Sequence, residues 1–272
     1  MKINTPNGSY WVEEYGANKG NPVVLLHGFT GSSATWYPFL PYLNNYRTIL
    51  IDLPGHQKTK VQMNSMKDFC DDLAYLLTKL KIEKATLIGY SLGGRTALSF
   101  AIYYPERVHA LLLESATAGI EQEEERIKRQ QSDEELANFI EDHGLEVFVD
   151  RWQNIPLFQT QKSLPTSTKA AIRAERLSHS VAGLALSLRT MGTGKMPSWW
   201  SDLASIQIPV QLVVGALDHK FVSINQKMDK MLPNSSFIKV ENAGHAVHVE
   251  QPEFFGTIIK NIGNGGDFYY DS

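Results

Sequence analysis

Residues 84–95 read KATLIGYSLGGR, and the reading of the whole chain turns on them. The apolar run ATLIGY predicts a buried strand. The following SLGGRTALSFAIYY, residues 91–104, is apolar at helical spacing and predicts a helix. Only a sharp turn fits between them, with Ser91 at its apex and Gly89 and Gly93 on either side. A G-x-S-x-G pattern between a strand and a helix is the setting in which a serine is exposed as a nucleophile. The two glycines stand where the strand and helix backbones come too close for side chains, and the serine itself is forced into an unfavourable backbone conformation. The turn also puts the serine hydroxyl at a helix N-terminus, where free N–H groups and the dipole favour developing negative charge.

Outward from this turn the chain alternates. PVVLLHG (22–28), YRTILIDLPG (46–55) and RVHALLLES (107–115) predict further buried strands, with an amphipathic helix over DFCDDLAYLLTKL (68–80). Continuous apolar strands separated by helices indicate a mostly parallel, doubly wound α/β sheet covered on both faces. The pattern then changes. From Gly119 to Ser205 no strand is evident. EEERIKRQQSDEELANFIEDHG (123–144) and STKAAIRAERLSHSVAGLALSLRTMG (167–192) read as helical. Alternation resumes with IPVQLVVGALD, FVSINQKMDKML and SFIKVENAGH, then a last helix from Pro252. The expected organisation is a core over residues 1–118 and 206–272 with an inserted helical cap over 119–205. The glycine-rich tail GNGGDFYYDS is expected to be mobile.

The 272 residues suit one large α/β domain with an insertion, and 43% hydrophobic content is ample for its core. A net charge of -3 argues against nucleic acid as partner. Cys70 is the only cysteine, which excludes an internal disulfide and fits a reducing compartment. No run approaches membrane-spanning length, and the N-terminus lacks the apolar core of a secretion signal. The expectation is a cytoplasmic protein, with a monomer favoured.

A serine nucleophile needs a base and an orienting acid, in the chain order Ser, Asp/Glu, His. Asp218 in VVGALDHKF and His245 in VENAGHAVHVEQP each follow a strand end, where open α/β sheets meet their ligands. Glu114 is a rival acid; His248 and His219 are rival bases. His27 and His56 read as loop-packing residues. The N–H groups of Phe29, in LLHGF, and Leu92 are placed to form an oxyanion hole.

With HGF, DLPGH, GYSLGG and the Asp218 and His245 loops in this order, the chain resembles the α/β-hydrolase superfamily over its whole length. Within it, GYSLGGR, EEERIKRQQSD, DRWQNIPLF, AERLSHS, SLRTMGTG and GHAVHVEQP resemble the 2-succinyl-6-hydroxy-2,4-cyclohexadiene-1-carboxylate (SHCHC) synthases of menaquinone biosynthesis. The resemblance implies a lyase that eliminates pyruvate from a polycarboxylate, with no metal and no organic cofactor. It implies the triad Ser91, Asp218 and His245, and substrate contacts from Tyr90, Arg95, Arg129, Trp152 and Arg176. Two departures stand out: Gln57 where glycine is usual after PGH, and Ala216-Leu217 where an acidic residue is common before the loop's aspartate.

Arg95 lies four residues past Ser91, on the same helix face. Its neighbours Ala97, Leu98, Phe100 and Ala101 suggest a buried helix, and a buried guanidinium needs an anion. That anion is either a core carboxylate such as Asp52 or Glu114, or a carboxylate of the substrate gripped by the guanidinium fork. The cap adds Arg126, Arg129, Arg173, Arg176 and Arg189, most of which, singly, suit a solvated face. A lyase using Ser91 as a relay base, an esterase or carbon–carbon hydrolase acylated at Ser91, and a non-catalytic binding module all remain open at this point.

Overall fold

In the computed structural model, which describes residues 1–16 and 20–262, the chain opens with two strands that the apolar-run reading missed. These are β1 (Lys2–Thr5) and β2 (Gly8–Tyr15), an antiparallel hairpin that pairs Lys2 with Trp11 and Thr5 with Gly8. Its strands alternate with polar residues, so only Tyr10 and Val12 are fully buried among the large apolar side chains.

The sheet continues with β3 (Pro22–Leu26), β4 (Arg47–Ile51), the short β5 (Lys60–Val61), β6 (Ala85–Tyr90), β7 (Val108–Glu114), β8 (Val210–Gly215) and β9 (Ser235–Val240). The spatial order is β1-β2-β4-β3-β6-β7-β8-β9, with β5 on β2. From β4 across to β9 every neighbouring pair is parallel. Successive strand residues feed two different cores. Val24, Leu26, Leu87, Leu111 and Leu113 join one face with Phe69, Leu73, Leu98 and Phe100. Val23, Leu25, Ile88 and Leu112 join the other with Trp36, Phe39, Phe255 and Ile258. This two-residue alternation between two buried faces explains why these strands read as unbroken apolar runs.

The helices are α1 (Met66–Lys79), α2 (Leu92–Tyr103), α3 (Glu123–Trp152), α4 (Thr166–Leu177), α5 (Val181–Met191), α6 (His219–Met231), α7 (Val247–Glu250) and α8 (Pro252–Lys260). A 3-10 stretch, Ser33–Leu43, follows β3. Three helices, α3 to α5, lie between β7 and β8, and a small apolar cluster including Ala137, Phe148 and Leu184 ties α3 to α5. Two details refine the sequence reading. The 123–152 stretch is broken at Gly144, whose non-helical φ of 77 and ψ of 175 divide it into two helical pieces, the first ending where the sequence reading ends it. The 167–192 stretch, helical as expected, is divided between α4 and α5. Ser180 caps the second by accepting the Gly183 N–H at 3.1 Å. The glycine-rich tail lies outside the described residues. Among the described residues, no helix is long and apolar enough to cross a membrane.

Candidate active site

Strand β3 is flanked by β4 on one side and β6 on the other, so the chain's progress across the sheet reverses there. Such a reversal opens a crevice at the carboxyl ends of the strands, and Ser91 follows β6 directly. A Cβ on Gly89 would meet the Gly93 carbonyl carbon at 2.4 Å, and one on Gly93 would meet the Leu26 carbonyl oxygen at 1.9 Å. Only glycine tolerates either approach. Ser91 sits at φ 49, ψ -103, a conformation that costs about 1–3 kcal/mol and persists because the surroundings fix it. Its N–H donates to the Glu114 carbonyl at 2.8 Å, and its own carbonyl accepts the Arg95 N–H at 2.9 Å.

His245 Nε2 lies 3.2 Å from Ser91 Oγ, and its Nδ1 lies 2.7 Å from Asp218 Oδ2. Asp218 is also the N-cap of α6: its Oδ1 accepts the Phe221 N–H at 3.3 Å, which fixes the carboxylate's direction. The His245 ring is packed by Phe221 at 4.6 Å and Tyr90 at 5.5 Å. The rival groups pair with one another instead: His248 Nδ1 is 2.9 Å from both oxygens of Glu114. His219 is exposed at the start of α6.

Ser91 and His245 open onto a cavity of about 460 Å³ that Phe29, Tyr90, Leu92, Arg95, Arg129 and Trp152 also line. Leu92 begins α2, so its N–H has no intrahelical acceptor. His27, by contrast, is fully buried away from the chemistry. Its Nε2 accepts the Leu53 N–H at 2.9 Å and its Nδ1–H donates to the Gly28 carbonyl at 2.8 Å. His56 is held in the same way, by the Thr30 N–H and the Pro54 carbonyl. Both brace the loop that carries Phe29.

Arg95 is 8% exposed, and its guanidinium makes one hydrogen bond among the described residues, from Nη1 to the Met191 carbonyl at 3.0 Å. Neither core carboxylate considered from sequence reaches it. Asp52 is taken by the N–H and hydroxyl of Ser33, and Glu114 by His248. Burial, with Arg129 as a neighbouring cation, pulls the Arg95 pKa down to about 9; Asp133 opposes the shift. Arg129 bonds Asp133 Oδ1 through Nε at 2.8 Å and lines the cavity. Arg95 and Arg129 thus stand as neighbouring cations on the cavity that contains Ser91, and the carboxylate of Asp133 is bonded by Arg129. Trp152 stacks against Phe148 and sets its edge to Phe29, while its buried Nε1–H has no hydrogen-bond partner.

Arg176 lies to one side of this cavity. It is buried, lies over the Phe158 ring at 4.7 Å, and lines an adjoining cavity of about 470 Å³ rather than the one containing Ser91. Phe29, Tyr90 and Phe158 line both cavities, so the two lie side by side. The other cap arginines make surface ion pairs: Arg189 with Glu134 and Glu141, Arg173 with Asp150, Arg126 with Glu123. Gln57, unusual after PGH, takes the left-handed φ of 45 that glycine would favour, and its N–H donates to Nδ1 of His179 in the cap at 3.3 Å. Sequence reasoning missed Lys220, an exposed cation on the cavity wall, and Phe158 and Phe221 around His245. The signal for Lys220 was its position two residues after Asp218.

Comparisons with known proteins agree with this architecture. Residues 21–252 match the family described as alpha/beta hydrolase fold. A Bacillus subtilis (strain 168) protein provisionally named 2-succinyl-6-hydroxy-2,4-cyclohexadiene-1-carboxylate synthase is 48% identical over 257 residues, covering 93% of this chain and 94% of its own. The Citrobacter koseri enzyme of the same name is 31% identical over 240 residues, 87% of this chain and 92% of its own. The solved structure of MenH from S. aureus superposes with a TM-score of 0.88 at 36% identity, covering 94% of this chain and 97% of that one.

Proposed function

The chain belongs to the alpha/beta-hydrolase family and, within it, to the SHCHC synthases, and from that premise we propose that Ser91 works as a relay base in a pyruvate elimination. The protein is a lyase of menaquinone biosynthesis. Its substrate in this reading is 2-succinyl-5-enolpyruvyl-6-hydroxy-3-cyclohexene-1-carboxylate, a tricarboxylate.

The observation that carries the reading is Arg95: a buried cation with one backbone bond, beside Arg129, on the cavity wall that faces Ser91. An ester lipase would want an apolar wall there. A guanidinium fork with unused donors fits a carboxylate bidentately. Arg129 and Lys220 supply further cations, and the Trp152 N–H a neutral donor. The 119–205 insertion acts as the cap that brings Arg129 and Trp152 over the core.

The steps follow from the geometry. His245, held by Asp218, takes the Ser91 Oγ proton. The alkoxide removes a substrate C–H proton. That electron pair forms a new ring double bond, the ring's existing double bond shifts one position toward the enolpyruvyl carbon, the C–O bond there breaks, and enolpyruvate leaves with that bond's electrons. It takes up a proton and becomes pyruvate, and the imidazolium gives up its proton to complete the cycle. The N–H groups of Phe29 and Leu92 hold the substrate oxygen on which negative charge develops. Arg176 would meet a substrate carboxylate that extends into the adjoining cavity past Phe29, Tyr90 and Phe158. Cytoplasmic residence belongs to the same reading, and the lone buried Cys70 thiol suits a reducing compartment.

The test is direct. The protein is incubated with the enolpyruvyl substrate, pyruvate is assayed, and the second product is weighed by mass spectrometry. Stoichiometric pyruvate with a product lighter by one pyruvic acid supports the reading; a product heavier by one water, with no pyruvate, rejects it.

A further inference from the structure

The mechanism above leaves unused an ionisable pair deep in the core. Glu114, at the end of β7, is 0% exposed, and His248, at the start of α7, is 5% exposed. Around His248 stand the rings of Tyr90 at 4.5 Å, Trp36 at 5.4 Å and Phe255 at 5.9 Å. A charge or a polar ring among such groups is expensive, and an apolar pair would pack at least as well.

The pair's bonds show what it holds. The Glu114 carboxylate accepts the His248 backbone N–H at 3.0 Å and faces the ring Nδ1 with both oxygens at 2.9 Å. The same residue's backbone carbonyl accepts the Ser91 N–H at 2.8 Å, and Glu114 is registered opposite Tyr90 in the sheet. One residue thus grips the nucleophile turn with its backbone and the base loop with its side chain, three residues beyond His245. On its other side that loop is fastened to the acid loop, by the Leu217 N–H to the Ala243 carbonyl at 2.9 Å.

We infer that Glu114 and His248 are positioning residues: the pair buckles the His245 loop to the strand that holds Ser91, and so sets the distance between Nε2 and Oγ. Apolar contacts are non-directional; two donors converging on one carboxylate fix both distance and angle. The Nε2–Oγ separation of 3.2 Å is already at the long end of a hydrogen bond, so little slack remains.

This inference rests on Ser91 and His245 acting together, and its test separates that from the choice of reaction. Two variants are made: Glu114→Gln, which keeps one acceptor for the backbone N–H, and His248→Phe, which keeps a ring against Tyr90 and Trp36. For each, kcat and KM are measured with the enolpyruvyl substrate. The rate of Ser91 phosphorylation by diisopropyl fluorophosphate, an uncharged probe of serine–histidine competence alone, is measured alongside. Misplacement by about 1 Å can cost on the order of 10²-fold, so kcat is expected to fall roughly 10–100-fold. KM should hold within about threefold, because the arginines are untouched, and labelling should slow by a factor similar to that in kcat. His248→Asn, which keeps a donor near the Nδ1 position, should regain most of both rates. Unchanged kcat and labelling with a lower Tm would make the pair a structural brace only and overturn the inference. So would a rise in KM at constant kcat. If one variant does not fold, the other decides by the same criteria. If wild-type protein releases no pyruvate while the labelling contrast persists, the lyase reading fails and this inference stands.

Discussion

Arg95 Nη1 donates to the Met191 carbonyl at 3.0 Å, the guanidinium's one hydrogen bond among the described residues. The helix α2, which begins just after Ser91, is thereby joined to the last residue of α5, with most of the Arg95 donors left over. A cation this buried and this sparsely satisfied makes the free enzyme less stable than it could be.

Arg95→Met should therefore leave Tm unchanged or raise it, because it removes an uncompensated buried charge. The same variant should lose activity more severely than Arg95→Lys, which keeps the charge and loses the fork. A hydrogen bond to a charged group is worth about 1.5–3 kcal/mol. Arg95→Lys should then lose roughly 10–100-fold in kcat/KM, measured with Tm on one preparation. An early-melting Arg95→Met variant with full activity when folded would make Arg95 structural.

Arg129 behaves differently because of its partner. Asp133 is buried, its side chain is 5% exposed, and Arg129 is its hydrogen-bond partner. Arg129→Ala strands that carboxylate, at a cost of about 1–3 kcal/mol or more. A drop in Tm of several degrees should accompany a loss of about tenfold in kcat/KM. Adding Asp133→Asn should restore Tm and not activity; recovery of both would show that Arg129 serves only Asp133.

Three histidines make stability pH-dependent. In His27, His56 and His179 one ring nitrogen accepts a backbone N–H and the other donates to a backbone carbonyl, so each must be neutral. Burial lowers the pKa of His27 and of His179 to about 4, and that of His56 well below its ordinary value. The unfolded chain takes up these protons below about pH 6.5 and the folded chain does not. Stability should fall as pH drops below 6.5 and keep falling to about 4, where the folded rings protonate. Urea unfolding at pH 7.5, 6.0 and 5.0 measures it, and a His179→Gln variant should show a shallower slope. Equal slopes would remove His179 from this account.

The triad should act as a unit. Ser91→Ala, Asp218→Asn and His245→Ala should each cost at least about 10²-fold in kcat. The Ser91→Ala/His245→Ala double variant should cost little more than the worse single one. Multiplying losses in steady-state assays would mean that the two do not form one relay.

Much of this was legible in the sequence, for identifiable reasons. A strand buried on both faces leaves an unbroken apolar run, so β3, β4, β6 and β7 were plain; β1 and β2 were not, because β1 has only four residues and polar, partly exposed positions interrupt both strands. Ser91, Asp218 and His245 were placed by their position just after strand ends. The partner of Arg95 could not be chosen from sequence, since Glu114 and Asp52 are equally near in the chain's logic. It took three dimensions to show Glu114 committed to His248, and Arg176 on the adjoining cavity.

The central claim is that Ser91 moves a proton and is never acylated, and intact-protein mass spectrometry after rapid quenching tests it most directly. The protein is mixed with the enolpyruvyl substrate and quenched from milliseconds to completion while pyruvate is assayed in parallel. The account expects the unmodified protein mass at every time, with pyruvate rising throughout. An adduct on Ser91 that accumulates and decays at the rate of turnover would contradict it.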